Sequence, residues 1–228
     1  MLAGCEPRVE ELLPPTAKFP FRETAVLWLD AREPGLTPGL LPRWADLSPT
    51  GVDAVQLVPA LQPSLLSTPW VRFGLSSEMS TGARKSSSAS FGLIAVFMPG
   101  GGKCRVLQGA VPGSAPKLVM ASETDALIIE ASRTKFVLAG KVAVQDTPTL
   151  VAIRQEAFEL EVRVNAQAVE RRSVTETLGD LEYISFGGMS ECSLGAVILF
   201  DTDLSDAQLS VLEPTLMEAW GIPEGLPR

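Results

Sequence analysis

Histidine is absent from all 228 residues, which removes Ser–His–Asp and Cys–His catalysis and the commonest zinc ligand. Cysteine is scarce. Cys5, Cys104 and Cys192 are odd in number and far apart, spaced neither like a metal knuckle nor like a redox pair. So few thiols do not build the disulfide framework of a small secreted domain. Aromatic residues make up only 6%, with one tyrosine, Tyr183, so platforms for sugar stacking are few. Positive charge is short too: 19 Lys and Arg face 27 Asp and Glu, for a net charge of −8. The basic pairs Arg84-Lys85 and Arg171-Arg172 stand alone, whereas phosphate binding needs clustered cations, so no nucleic-acid partner is expected. No apolar run reaches the about 18 residues of a membrane span, and no membrane partner is expected. The N-terminal MLAGCEPRVEELLPP has acids and prolines where a signal peptide has a basic start and an apolar run. Synthesis and folding in a reducing cytoplasm are the expectation.

What the chain has is a large apolar fraction, 46%, interrupted at short intervals by 19 glycines and 18 prolines. That composition suits many short strands joined by turns. Residues 1–23 read as a Pro-rich arm and residues 24–228 as one domain. Two readings of the arm stay open: a strap packed on the domain, or a docking arm whose Pro7, Leu12, Leu13, Pro14, Phe19 and Phe21 meet a partner. Thr24–Asp30 is nearly continuous in apolar residues, as in a strand buried on both faces. Ser76–Ser90 is rich in Ser, Gly and Lys and reads as a surface loop. Ser90–Pro99 is the strongest strand pattern. It stops at Gly100-Gly101-Gly102, which lacks the Lys-Ser/Thr of a phosphate loop and reads as a hairpin tip.

Lys103–Gly109, Lys117–Ser122, Ala126–Ala131, Lys135–Gly140 and Pro148–Gln155 continue as a meander. Phe158–Asn165 then alternates, with Phe158, Leu160, Val162 and Val164 on a buried face and Glu159, Glu161 and Arg163 in solvent. Leu181–Gly188 and Leu194–Asp201 complete an all-β, two-sheet antiparallel sandwich. A short C-terminal helix is expected, capped by Ser205 with Gln208. Leu209, Leu212, Leu216, Ala219 and Trp220 give it one apolar face. Pro214 predicts a kink or restart, and Gly221 ends it.

Carboxylates are the remaining chemistry. Glu159 and Glu161 share a strand face about 6–7 Å apart, near the separation used by glycosidases. Asp46 with Asp53, and Asp201 with Asp203, are acid pairs that a calcium ion would favour, but each lacks an assured third ligand and reads as turn chemistry. Cys104 stands between Lys103 and Arg105 but on a strand, as an inert core thiol would. No catalytic, cofactor or metal residue is assigned, with calcium the single weak alternative.

The order of segments resembles the laminin-G-like jelly-roll domains of the concanavalin A-like superfamily. The residues that carry the likeness are LWLDA (Leu27–Ala31), WADLSPTGVDAVQ (Trp44–Gln56), QPSL (Gln62–Leu65), VRF (Val71–Phe73) and the closing ISFGG…LGAVILFDTDLSDAQLSVLEPTLMEAWGI. They have structural explanations: Trp44 and Trp220 anchor the core, while Asp46 and Ser48 bond their own backbone. The acidic signature of laminarinase-like jelly rolls is missing, and no enzyme activity is expected. The resemblance implies one of two roles. The first is a structural protein of a tailed-bacteriophage virion, a decoration, fibre-associated or tail accessory subunit, assembled in the host cytoplasm with other virion proteins or copies of itself. The alternative is a carbohydrate-binding or adhesion module for a cell-surface glycan. Its contacts would come from Ser76, Arg84, Lys85 and Ser88 in the loop and from Glu159, Glu161 and Arg163 on the strand.

Overall fold

In the computed structural model the described residues are 19–82, 90–123, 126–131, 134–139, 145–188, 191–223 and 225. Their strands form two antiparallel sheets packed face to face. From edge to edge the first sheet runs β15 (Gln167–Ser173), β14 (Glu159–Val164), β13 (Thr149–Glu156), β8 (Phe91–Pro99), β17 (Cys192–Phe200), β6 (Val71–Phe73), β5 (Ser64–Leu65) and β2 (Gly39–Leu40). β1 (Leu27–Asp30) also pairs with β17. The second runs β12 (Thr134–Ala139), β11 (Ala126–Ala131), β10 (Leu118–Glu123), β9 (Lys103–Ala110), β16 (Tyr183–Gly187), β7 (Glu78–Thr81), β4 (Ala54–Val55) and β3 (Arg43–Trp44). This is the all-β, two-sheet sandwich with a C-terminal helix that the strand pattern predicts.

The helix, α1 (Asp206–Trp220), decides what the first sheet can do. The Gln208 amide donates to Ser205 Oγ and the Ser205 amide to Gln208 Oε1, closing the capping box. Gly221 ends the helix in the left-handed region, at φ 61. The helix continues through Pro214 without a restart. Pro214 and Ser210, whose carbonyl loses its helical donor, are both exposed, so the missing bond is left to solvent.

α1 lies on the outer face of the first sheet, and glycines let it approach. A Cβ at Gly195 would stand 2.8 Å from the Trp220 ring, and one at Gly92 would stand 2.6 Å from Leu204. Trp220 is buried against Trp70, ring centroids 4.8 Å apart. An indole buried there is worth roughly 4–6 kcal/mol at about 25 cal/mol per Å². With the core on one side and α1 on the other, β17 is buried at every residue and β1 likewise. Hence their continuous apolar runs.

The Trp-x-Asp-x-Ser segment ties β1 to its neighbouring loop. Asp46 Oδ1 accepts from the amides of Trp28 at 2.8 Å and Ser48 at 2.9 Å. Its Oδ2 accepts from Ser48 Oγ, Thr50 Oγ1 and the Val52 amide. Asp53 accepts from the Asp46 amide and from Arg43. Both carboxylates are therefore engaged by protein donors in place of a cation. Trp44 is fully buried beside Phe186.

Two expectations are corrected. Phe19 belongs to the core and not to a docking arm: its ring lies 5.6 Å from Trp28, with the Arg32 guanidinium 4.9 Å from its centroid. Phe21 is half-buried on the same core, so packing starts before residue 24. Pro7, Leu12, Leu13 and Pro14 lie outside the described residues. Phe158 is 56% exposed because the β13–β14 turn, with Ala157 at φ 50, carries it beyond the sandwich.

Candidate functional site

The antiparallel register builds one charged row across three strands. Arg154 on β13 pairs with Glu161 on β14, and Glu161 pairs with Arg171 on β15. All three share the outer face, where the turn after β17 delivers Asp203 and the first residue of α1, Asp206. Together with Glu156 and Glu159 these residues line a cleft of about 280 Å³.

Glu161 is the hub. Its Oε2 accepts from Arg171 Nη2 at 2.6 Å and Arg154 Nη2 at 3.0 Å, and its Oε1 accepts from Arg163 Nη1 at 3.4 Å. Arg154 also donates to the Leu204 carbonyl and pairs with Asp206 at 2.7 Å. Arg163 pairs with Glu213 of α1 through both Nε and Nη2. The expectation that Glu161 and Arg163 stand in solvent is thus overturned: Glu161 is only 6% exposed and Arg163 is half-buried. The alternation is right, but α1 covers the face it assigns to water. Glu159 is exposed at the cleft rim.

Burial alone would push the Glu161 carboxyl up, but hydrogen bonds from Arg171, Arg154 and Arg163 outweigh it and hold the group below its ordinary value. Its contacts with three guanidinium groups leave it a poor nucleophile or general base. Asp203 is the opposite case. Burial raises its carboxyl, with Arg154 opposing and Glu156 and Asp206 adding to the rise. Its Oδ1 is enclosed and has no hydrogen-bond partner. The cleft thus holds five acids against two arginines.

The loop residues do not join this cleft. Ser76 is exposed in the β6–β7 turn, next to the Cys192 end of β17, whereas Asp203 follows its Phe200 end. A strand of that length separates them by about 25–30 Å. Arg84, Lys85 and Ser88 lie outside the described residues. Arg154, Asp206 and Glu213 were not singled out by the sequence, and Arg171 and Asp203 were read only as an isolated basic pair and as turn chemistry. Two signals pointed to them: a lone arginine inside the apolar run of β13, opposite Glu161 once the hairpin closes, and a glutamate on the apolar stripe of α1.

Among the described residues, no helix lies over the outer face of the second sheet. It presents Tyr183, Ser185, Ser80 and Gln108, with Arg105 donating to the Gly187 carbonyl and to Gln108. Among the described residues, no group of three or more Cys, Asp or Glu is arranged to hold a metal ion, and no helix is long and apolar enough to cross a membrane.

No family model matches the chain, and no curated protein matches it. Solved structures do. A Trypanosoma rangeli sialidase in complex with sialic acid superposes with a TM-score of 0.62 at 15% identity, covering 86% of this chain and 33% of that one. The binding domain of botulinum neurotoxin DC in complex with rat synaptotagmin II gives 0.63 at 12%, covering 86% and 52%. A botulinum neurotoxin type C structure, described by its dependence on two ganglioside molecules for cell entry, gives 0.61 at 11%, again covering 86% and 52%. The chain spans about a third of the sialidase and half of the toxin domains. At these identities the likeness shows the fold alone: a two-sheet β-sandwich.

Proposed function

We propose that this chain is a non-catalytic glycan-binding module that takes a neutral or amino sugar in the Arg154–Glu161–Arg171 cleft. The observation that carries the reading is a cleft of about 280 Å³ lined by carboxylates and guanidinium groups, to which Asp203 brings a carboxylate with one enclosed oxygen, Oδ1, left without a partner. Sugar hydroxyls both donate and accept, and such planar polar side chains fix them in pairs. The sialidase in complex with sialic acid and the toxin whose cell entry depends on two ganglioside molecules, both structural neighbours, support carbohydrate as the ligand class. The acid excess of this cleft and the net charge of −8 favour neutral or cationic sugars over sialylated ones. Engagement of Glu161 by three arginines supports binding over hydrolysis. The virion reading has no comparable observation in its favour.

The test is a glycan array followed by calorimetry with neutral, amino and sialylated oligosaccharides. We expect binding of a neutral or amino glycan that weakens about tenfold or more in Asp203→Asn and Arg171→Ala, with no release of reducing sugar. Folded protein that retains no glycan, or binding indifferent to both variants, overturns the reading.

A further inference from the structure

Cys104 and Cys192 stand 88 positions apart (192 − 104), yet the fold sets one against the other. Cys104 is the second residue of β9 in the second sheet, and Cys192 is the first of β17 in the first sheet. Both are buried, 0% and 2% exposed. Cys192 Sγ donates to the carbonyl of Arg105, next to Cys104, at 3.7 Å, and the Cys192 thiol is near enough to Cys104 to act on its ionisation. A core cysteine packs as a small apolar side chain and needs no second thiol facing it across the sheets.

Their position matters as much as their proximity. The pair sits at one end of the sandwich, where the Gly100 amide donates to the Glu191 carbonyl at 3.2 Å. There Cys192 lines a rim cavity of about 230 Å³ with Arg72, Met98, Gly100, Asp146 and Glu191. Parting the strand ends at this rim reaches Cys192 without unfolding the core.

We propose that Cys104 and Cys192 are a latent inter-sheet disulfide, closed by thiol–disulfide exchange with a small oxidised disulfide such as oxidised glutathione. The Cys192 thiolate attacks one sulfur of the oxidant, forming a mixed disulfide and releasing one thiol. The Cys104 thiol then loses its proton and attacks the Cys192 sulfur, forming the protein bridge and expelling the second thiol. Two protein thiols are oxidised and one small disulfide is reduced to two thiols. The neighbouring Cys192 thiol, and then burial, raise the Cys104 group, so closure is slow in the folded protein. Once formed, the bridge ties the two sheets together across an 88-position span, a long loop whose closure restricts the unfolded chain. The domain is then reduced where it is made and clasped wherever conditions oxidise it. The inference is independent of what the cleft binds.

The full chain carrying Cys5→Ser, so that the third thiol cannot compete, is equilibrated with oxidised glutathione. It is then alkylated, digested and analysed by mass spectrometry, and melted with and without reductant. We expect a peptide pair joining Cys104 to Cys192, lighter by about 2 Da than its reduced components, absent in Cys104→Ala and in Cys192→Ser. The melting midpoint should rise by roughly 10 °C and fall back with reductant. Separate glutathione adducts on the two cysteines, or two thiols still free for alkylation after oxidation, overturn the proposal, as does a bridge that lowers the midpoint. The oxidised-against-reduced comparison needs no core variant to fold.

Discussion

The two sheets present outer faces built by the same alternation, and the faces have opposite fates. On the first sheet α1 turns the outer face into a second interior. Trp28, Asp30 and Ile198 lie beneath it, and its charges form a linked set: Arg154, Glu161, Arg163, Arg171 and Glu213. Among the described residues no helix covers the outer face of the second sheet, and its charges form separate pairs at half-exposed positions, such as Lys135–Glu130 and Lys103–Glu123. A side chain's chemistry therefore depends on what lies above the sheet more than on its place in the strand. Ion pairs under a helix must be complete, because one partner left alone is a buried charge. Surface pairs are dispensable.

The sharpest way to break the contrast is to remove its cause. Trp220→Ala should destabilise the protein by about 4–5 kcal/mol, the cost of a large core truncation, and should loosen Arg32, whose guanidinium lies 4.6 Å from that ring. Urea unfolding measures the loss, and a cost within about 1 kcal/mol would mean that α1 is not what seals the face. Next in size, Glu213→Gln takes from Arg163 the carboxylate it holds through two donors beneath the helix, leaving it the 3.4 Å contact with Glu161, and should cost about 3 kcal/mol, whereas Glu130→Gln on the open face should cost about 0–1. Equal costs would erase the distinction between the faces.

The smallest effect is one of pH. The Glu161 carboxyl is held below its usual value of 4.5, so its contribution is complete above that value and fades as pH falls through the depressed one. Asp203 is raised above its usual 3.8. Its contribution has the opposite sign, present at low pH and lost as pH rises through the raised value. Asp203→Asn should therefore stabilise the protein near neutrality and lose that advantage near about pH 3, whereas Glu161→Gln should destabilise it most near neutrality. Urea midpoints at the two pH values decide, and matching pH profiles for the two variants would show that the two carboxyls do not differ.

Much of this was legible beforehand where the signal is local. The capping box of α1, the burial of β1 and the structural role of Asp46 follow from residues close in sequence. Phe19 was misread because a lone aromatic in a proline-rich stretch says nothing of the Trp28 and Arg32 it meets. Two of the cleft's seven lining residues, Glu159 and Glu161, were seen together. Its arginines were not, because Arg154 meets Glu161 only through hairpin register. Cys104 and Cys192 were read as unrelated because nothing in their spacing announces a contact between sheets.

The sequence by itself determined the class of fold, the ends of the helix and the absence of histidine chemistry, since periodicity, capping and composition act within a few residues. Tertiary structure alone decided which sheet face is water-free, which carboxylate is locked and which thiols meet. Those properties come from desolvation and from partners brought together across the chain, and both exist only once the two sheets and the helix have closed on one another.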